Sequence, residues 1–246
     1  MKISPIIDVN NNNKNICPNF GTSKMVRVMP DNSILCNITW PFRECLNWKA
    51  FVNLLDIKYK YEENVNILNL ACSDGSESIT LLASLYEFAN NNASKFLPIK
   101  ASDITKEVID SAKSGIYNIE GQDLRRINTS IGHYSKYFCI TESTSKLFPF
   151  AMKLLPKYTD KIIYEQLDIF DSLKKLQPQN NVVLCRNVLP YLSNEKRVQF
   201  IDLLARKLDP SSLVVIGAFD NGHYVNNLLK SRYFKQTTVE NVYSKY

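Results

Sequence analysis

The segment Ala71-Cys72-Ser73-Asp74-Gly75-Ser76-Glu77 follows an apolar run at 65–71 and precedes helically spaced apolar residues, so it reads as the turn between a strand and a helix. In an open α/β sheet such a turn meets a ligand beyond the carboxyl ends of the strands. A pyrophosphate there calls for the spacing GxGxxG, which lets bare backbone approach the phosphates at a helix N-terminus. This turn holds one glycine, Gly75, and Glu77 puts negative charge where phosphate would sit. Its chemistry suits a ligand that carries an ammonium group. A second acid, Asp103, ends the next strand-like run at 98–102, where a carboxylate accepts the hydroxyls of a ribose. An ordinary helix cap ahead of residues 105–108 is the competing use of Asp103.

Several elements must position these groups. Apolar spacing predicts a helix over 44–55 that packs on the sheet, a strand over 65–71 and a helix over 76–88. A second strand at 98–102 leads into a helix from Thr105 that Gly115 ends. Strands are expected at 162–167, 182–185 and 213–218, with a helix over 195–208 between the last two. Alternation of this kind predicts a mainly parallel sheet. The pieces YFCIT and KLFPF break the rhythm, which places a small hairpin-bearing insertion at about 137–157. Residues 1–36, rich in Asn and Pro, read as a tail or an irregular lid, and residues 37–246 as the main domain.

Composition narrows the class. With 45% hydrophobic and 22% charged residues and no apolar run near the roughly 20 residues of a bilayer span, a soluble globular chain without membrane insertion is expected. The first residues lack the apolar core of a secretory signal, and a cytoplasmic location is expected. Six cysteines without a CxxC pair, beside two histidines, suggest neither a metal site nor a disulfide framework. The net charge of +6 is spread along the chain, so nucleic acid is not an expected partner.

Four motifs in order carry a resemblance. Asn37-Ile38-Thr39-Trp40-Pro41-Phe42-Arg43-Glu44 resembles the NxTxFFRE signature of the CheR-type chemotaxis receptor methyltransferases, and ACSDGSES resembles their GCSTGEEP turn. ASDITKEVIDSAKSGIYN is similar to their second strand, acid and helix, and VVLCRNVLPYL to their FCRNVLIYF. The closing Val242-Tyr243 matches the family's final VY strand, so the likeness runs from about Asn37 to the C-terminus.

The resemblance implies an α/β, Rossmann-like class I methyltransferase fold, with a mostly parallel seven-stranded sheet and a small β insertion, that uses S-adenosylmethionine and releases S-adenosylhomocysteine. That cofactor has an ammonium, a sulfonium and a ribose diol but no phosphate, as the turn requires. By resemblance Asn37, Thr39, Arg43, Ala71, Ser73, Glu77, Asp103, Leu167, Asn187 and Val188 line the cofactor pocket, with Glu77 on the methionine ammonium and Asp103 on the ribose. Arg43 and Tyr191 are the implied catalytic pair, placed to position an incoming carboxylate. The implied partner is a protein bearing glutamate side chains, such as a chemoreceptor-like one; some family members grip a receptor tail with a β insertion placed as this one is, and a loop-rich lid is the alternative reading of that stretch.

Departures from the pattern are Ala71 for the leading glycine, Ser76 for the first glutamate, Ser78 for the proline and Pro41 for one phenylalanine. The family's N-terminal helical domain is not expected within residues 1–36. Two alternatives stay open: a methyltransferase with another protein or small-molecule acceptor, and a non-catalytic module that binds the cofactor.

Overall fold

The computed structural model describes residues 26–28, 34–36, 39–43 and 46–246, apart from 144, 147, 178 and 221. Two short strands, β1 (Val26–Val28) and β2 (Ile34–Cys36), pair antiparallel within the stretch read as tail or lid. Helix α1 (Trp48–Lys58) starts later than the spacing predicts, because the Asn47 side chain accepts from the Ala50 amide and caps it there.

From α1 onward, strands and helices alternate as β3 (Asn66–Leu70), α2 (Ser76–Phe88), β4 (Ile99–Asp103) and α3 (Lys106–Ser114). Gly115, in the left-handed conformation, ends α3 as expected. Next come β5 (Ile116–Ile119), α4 (Gly121–Ile131), β6 (Phe138–Thr141), β7 (Phe150–Leu154) and β8 (Ile162–Gln166). The chain continues through α5 (Ile169–Lys174), β9 (Asn181–Cys185), α6 (Asn194–Lys207) and β10 (Leu213–Ile216). It closes with α7 (His223–Ser231), β11 (Phe234–Gln236) and β12 (Val242–Lys245).

Seven strands form one sheet in the order β11-β12-β10-β9-β3-β4-β8. The neighbours from β10 to β8 run parallel, and β12 is antiparallel to both β10 and β11. Alternate residues serve opposite faces. Ile67, Ala101, Val182 and Leu184 join the core under α1 and α2, while Leu68, Leu70, Val183 and Cys185 join the core under α5, α6 and α7. Both faces are covered, as a parallel sheet needs.

The insertion is larger than the hairpin expected at 137–157. It is a separate three-stranded antiparallel sheet, β5-β7-β6, that begins at Ile116 and takes in α4. Glu120 and Asp123 start α4 through a reciprocal capping box.

Candidate active site

Connections leave β3 toward β4 on one side and the chain returns through β9 on the other, so the topological switch point lies between β3 and β9. The turn after β3 winds tightly there. Ala71, Ser73 and Gly75 have φ of 52°, 52° and 85°. Gly75 has no alternative, because a Cβ on it would lie 2.5 Å from the Tyr164 hydroxyl. At Ala71 the chain holds a methyl-bearing residue in a conformation that costs L-residues roughly 1–2 kcal/mol.

Asp103 closes the turn from the side. It is 3% exposed, accepts the Ser73 amide on Oδ2 at 3.0 Å and accepts the Thr105 amide on Oδ1 at 2.9 Å. Burial pushes its pKa up, while the amides of Thr105 and Ser73 pull against that shift. The helix cap itself is Thr105, and Asp103 locks the turn after β3 to the end of β4. The Leu167 amide donates to the Asp103 carbonyl at 2.9 Å and brings the exit of β8 alongside.

On the other side of the switch point, Glu77 is ion-paired. Arg186 Nη1 donates to Glu77 Oε2 at 2.6 Å, with the arginine side chain 1% and the glutamate side chain 17% exposed. Arg186 also lies over the Trp48 ring, 5.4 Å from its centroid. The residue expected to meet the ligand's ammonium therefore has a cation of its own at one oxygen.

Asn187 follows with φ 59°, in the left-handed region that Asn tolerates. Val188 is half-buried, and Tyr191, 36% exposed, ends a 3₁₀ turn, Leu189–Tyr191. Arg43 lies 4.6 Å from the Trp40 ring centroid and 5.7 Å from that of Phe219, on the loop after β10. The Phe42 amide donates to Thr80 Oγ1 at 2.8 Å, tying the arginine-bearing turn to α2, and Phe42 has φ 52°. Thr39 is half-buried in the same segment. Asn37 lies outside the described residues.

Sequence reasoning missed Arg186, Phe219, Thr80 and Asp220. Arg186 lies inside the motif VVLCRNVLPYL, while Phe219, Thr80 and Asp220 lie outside the motifs, and the contacts of all four across the site form only in the fold. A groove of about 230 Å³ on the α5 face includes Leu167 in its lining but not Glu77, Asp103 or Asn187. Among the described residues no three His, Cys, Asp or Glu side chains gather to hold a metal, and no helix is long and apolar enough to cross a membrane. Cys72, Cys139 and Cys185 are free thiols.

A ligand with a ribose diol and an ammonium but no phosphate fits this donor set: an acid at each flank, a turn wound by left-handed residues, and no glycine-rich phosphate cradle. The sheet order, with its single antiparallel strand, and the acid at the end of the second parallel strand define a class I S-adenosylmethionine-dependent methyltransferase. The chain belongs to the CheR methyltransferase family, whose S-adenosylmethionine-binding domain matches residues 37–239.

Relatives include "Chemotaxis protein methyltransferase 2" of Vibrio cholerae, 22% identical over 84% of this chain and 70% of its own length. A Pseudomonas aeruginosa protein of the same name is 22% identical over 81% of this chain and 69% of its own. Among solved structures, magnesium protoporphyrin IX methyltransferase from Synechocystis PCC 6803 aligns over 81% of this chain and 78% of its own, at 14% identity and a TM-score of 0.43.

Proposed function

We propose that the chain transfers the methyl group of S-adenosylmethionine to a glutamate side chain of a protein, giving a methyl ester and S-adenosylhomocysteine. The observation that supports the reading is a chain of contacts linking four segments: Asp103 on the Ser73 amide, Glu77 on Arg186 beside Asn187, Asp220 on the Asn187 amide, and Phe219 against Arg43. When bound, S-adenosylmethionine supplies a methyl carbon on a sulfonium. The glutamate oxygen forms the new O–C bond, the C–S bond breaks, and its electron pair stays on sulfur. No proton moves, because a glutamate with a reference pKa near 4.3 is already ionised at neutral pH.

The residues then have orienting work. Asp103 accepts the ribose hydroxyls, and Glu77, half neutralised by Arg186, meets the ammonium. Thr39, Ala71, Ser73, Leu167, Asn187 and Val188 complete the cofactor wall, together with Asn37. Arg43 and Tyr191 hold the incoming carboxylate. The ring of Trp40 at 4.6 Å keeps the guanidinium in place. A loose grip on the nucleophile is useful here, since binding the ground state too tightly would slow transfer.

The protein acceptor, in this reading a chemoreceptor-like one, docks on the sheet β5-β7-β6. Among the described residues its outer strands β5 and β6 pair with β7 alone, and Ile140 of β6 is 39% exposed. Such edges take an added strand of an extended peptide. A non-catalytic binding role has one observation in its favour, the strained Ala71 under the cofactor.

The deciding assay incubates the chain with tritiated S-adenosylmethionine and a glutamate-bearing receptor fragment. Base-labile label released as methanol is the result the proposal expects. Label stable to base would point to an N-methyl or ring O-methyl product, and no label with demonstrable cofactor binding would leave a binding module.

A further inference from the structure

We propose that Asp220, which lies in none of the motifs, is the positioning residue that shapes the loop after β9 for cofactor and acceptor; this rests on the methyltransferase reading above. Asp220 is 2% exposed and follows β10. Its carboxylate takes three backbone N–H groups from two different loops. Gly217 donates to Oδ2 at 2.7 Å, Asn187 donates to the same oxygen through a short bond, and Leu189 donates to Oδ1 at 2.9 Å. Hydrogen bonds to an ionised acceptor are about twice as strong as neutral ones.

The two strand exits are pressed together. A Cβ on Gly217 would lie 2.2 Å from Asn187 Oδ1 and 2.6 Å from Asn187 N, so only glycine fits. Two of the three amides belong to the stretch that carries Asn187, Val188 and Tyr191, and the Tyr191 amide in turn donates to the Val188 carbonyl at 3.0 Å. The carboxylate thus sets the left-handed turn at Asn187 and the orientation of everything that hangs from it. Phe219, beside Asp220 in the chain, packs its ring 5.7 Å from the Arg43 guanidinium.

Charged and titratable groups around Asp220 are few. Arg186 and the buried Cys185 face it from the end of β9, and Glu77 reaches it from α2 through Arg186. Burial raises its pKa to about 6, with the three amides and Arg186 pulling the other way. Protonation below that pH puts an O–H donor where an acceptor had served the amides, and the loop loosens.

The test is titration calorimetry with S-adenosylhomocysteine at pH 7.5 and pH 5.5, at a temperature where circular dichroism shows each protein folded. Wild type is expected to bind several-fold more weakly at pH 5.5. Asp220→Asn is expected to bind about tenfold more weakly at pH 7.5, the low end for a lost hydrogen bond to a charged group, and to show a smaller pH dependence than wild type, the remainder coming from Asp74 in the turn after β3. Asp220→Glu, which keeps the charge, restores part of both. A merely structural role would lower the unfolding temperature and leave the pH profile of the folded protein as in wild type. Equal affinity and slope in Asp220→Asn and wild type overturn the proposal, as does a flat wild-type profile should the variant not fold. Wild type that binds nothing at pH 7.5 overturns the methyltransferase reading itself, and this inference with it.

Discussion

Glu77 on α2 and Arg186 at the end of β9 meet at 2.6 Å across the switch point, although 109 positions separate them in the chain. The pair ties the start of α2 to the end of β9. It also occupies one oxygen of Glu77 with a buried cation, so in the proposed site only part of the carboxylate's charge is left for the ligand's ammonium.

Replacing Glu77 by Gln removes the carboxylate charge that the buried Arg186 guanidinium donates to at 2.6 Å, beside Trp48. The expected cost is about 3 kcal/mol, the lower end for breaking a buried pair, because the glutamate side chain is 17% exposed. Urea unfolding measures it. A loss below about 1 kcal/mol, within the range of exposed pairs, would mean that the bond is ornamental.

Ala71 sits at φ 52° where glycine is at ease. Ala71→Gly is expected to stabilise the chain by about 1 kcal/mol, net of the extra freedom glycine gives the unfolded state, and to tighten cofactor binding. A lower unfolding midpoint in the glycine variant would show that the methyl packs usefully against its neighbours.

Burial pushes both Asp74 and Asp220 up to about 6 from an ordinary value of 3.8. A carboxyl with a higher pKa folded than unfolded binds more protons in the folded state between those two values. Its contribution to stability is therefore full below about pH 4 and is lost as pH rises through about 6. Urea midpoints at pH 5 and pH 7 should show a fall toward pH 7 that is smaller in Asp220→Asn than in wild type. An equal fall in both proteins would remove Asp220 from the titration.

Phe219 and Trp40 flank the Arg43 guanidinium. Phe219→Ala is expected to lower kcat/KM for the protein acceptor by about 2- to 30-fold, the span of one cation–π contact, with S-adenosylhomocysteine affinity changed less than about twofold. Equal losses in both would place Arg43 on the cofactor rather than on the acceptor.

Much of this architecture was legible in the sequence because it is written locally. Helix α2 occupies 76–88 as its apolar spacing predicts, and Gly115 ends α3 where a left-handed cap is needed. The strand expected at 213–218 stops at Ile216, since Gly217 must turn against Asn187. Strand β5 was hidden by its position: it pairs with β7, whose sequence lies beyond α4, and nothing in four residues announces a partner so far away. Helix α7 was missed because its apolar stripe is narrow, with Val225 and Leu229 as its buried residues. At the site, the acids were readable from turn and strand-end positions. Arg186 and Asp220 were not, because their roles depend on contacts that exist only after the sheet has assembled.

The most direct test of the central claim is titration calorimetry of the folded protein with S-adenosylhomocysteine, repeated with Asp103→Ala. Asp103 accepts the Ser73 amide and is the residue to which the proposal gives the ribose diol. Saturable binding by wild type, weakened in the variant by about 1.5–3 kcal/mol or roughly 10- to 150-fold, is the predicted result. Binding of equal strength in the two proteins, or none by the folded wild type, would contradict the placement of the cofactor at the turn after β3.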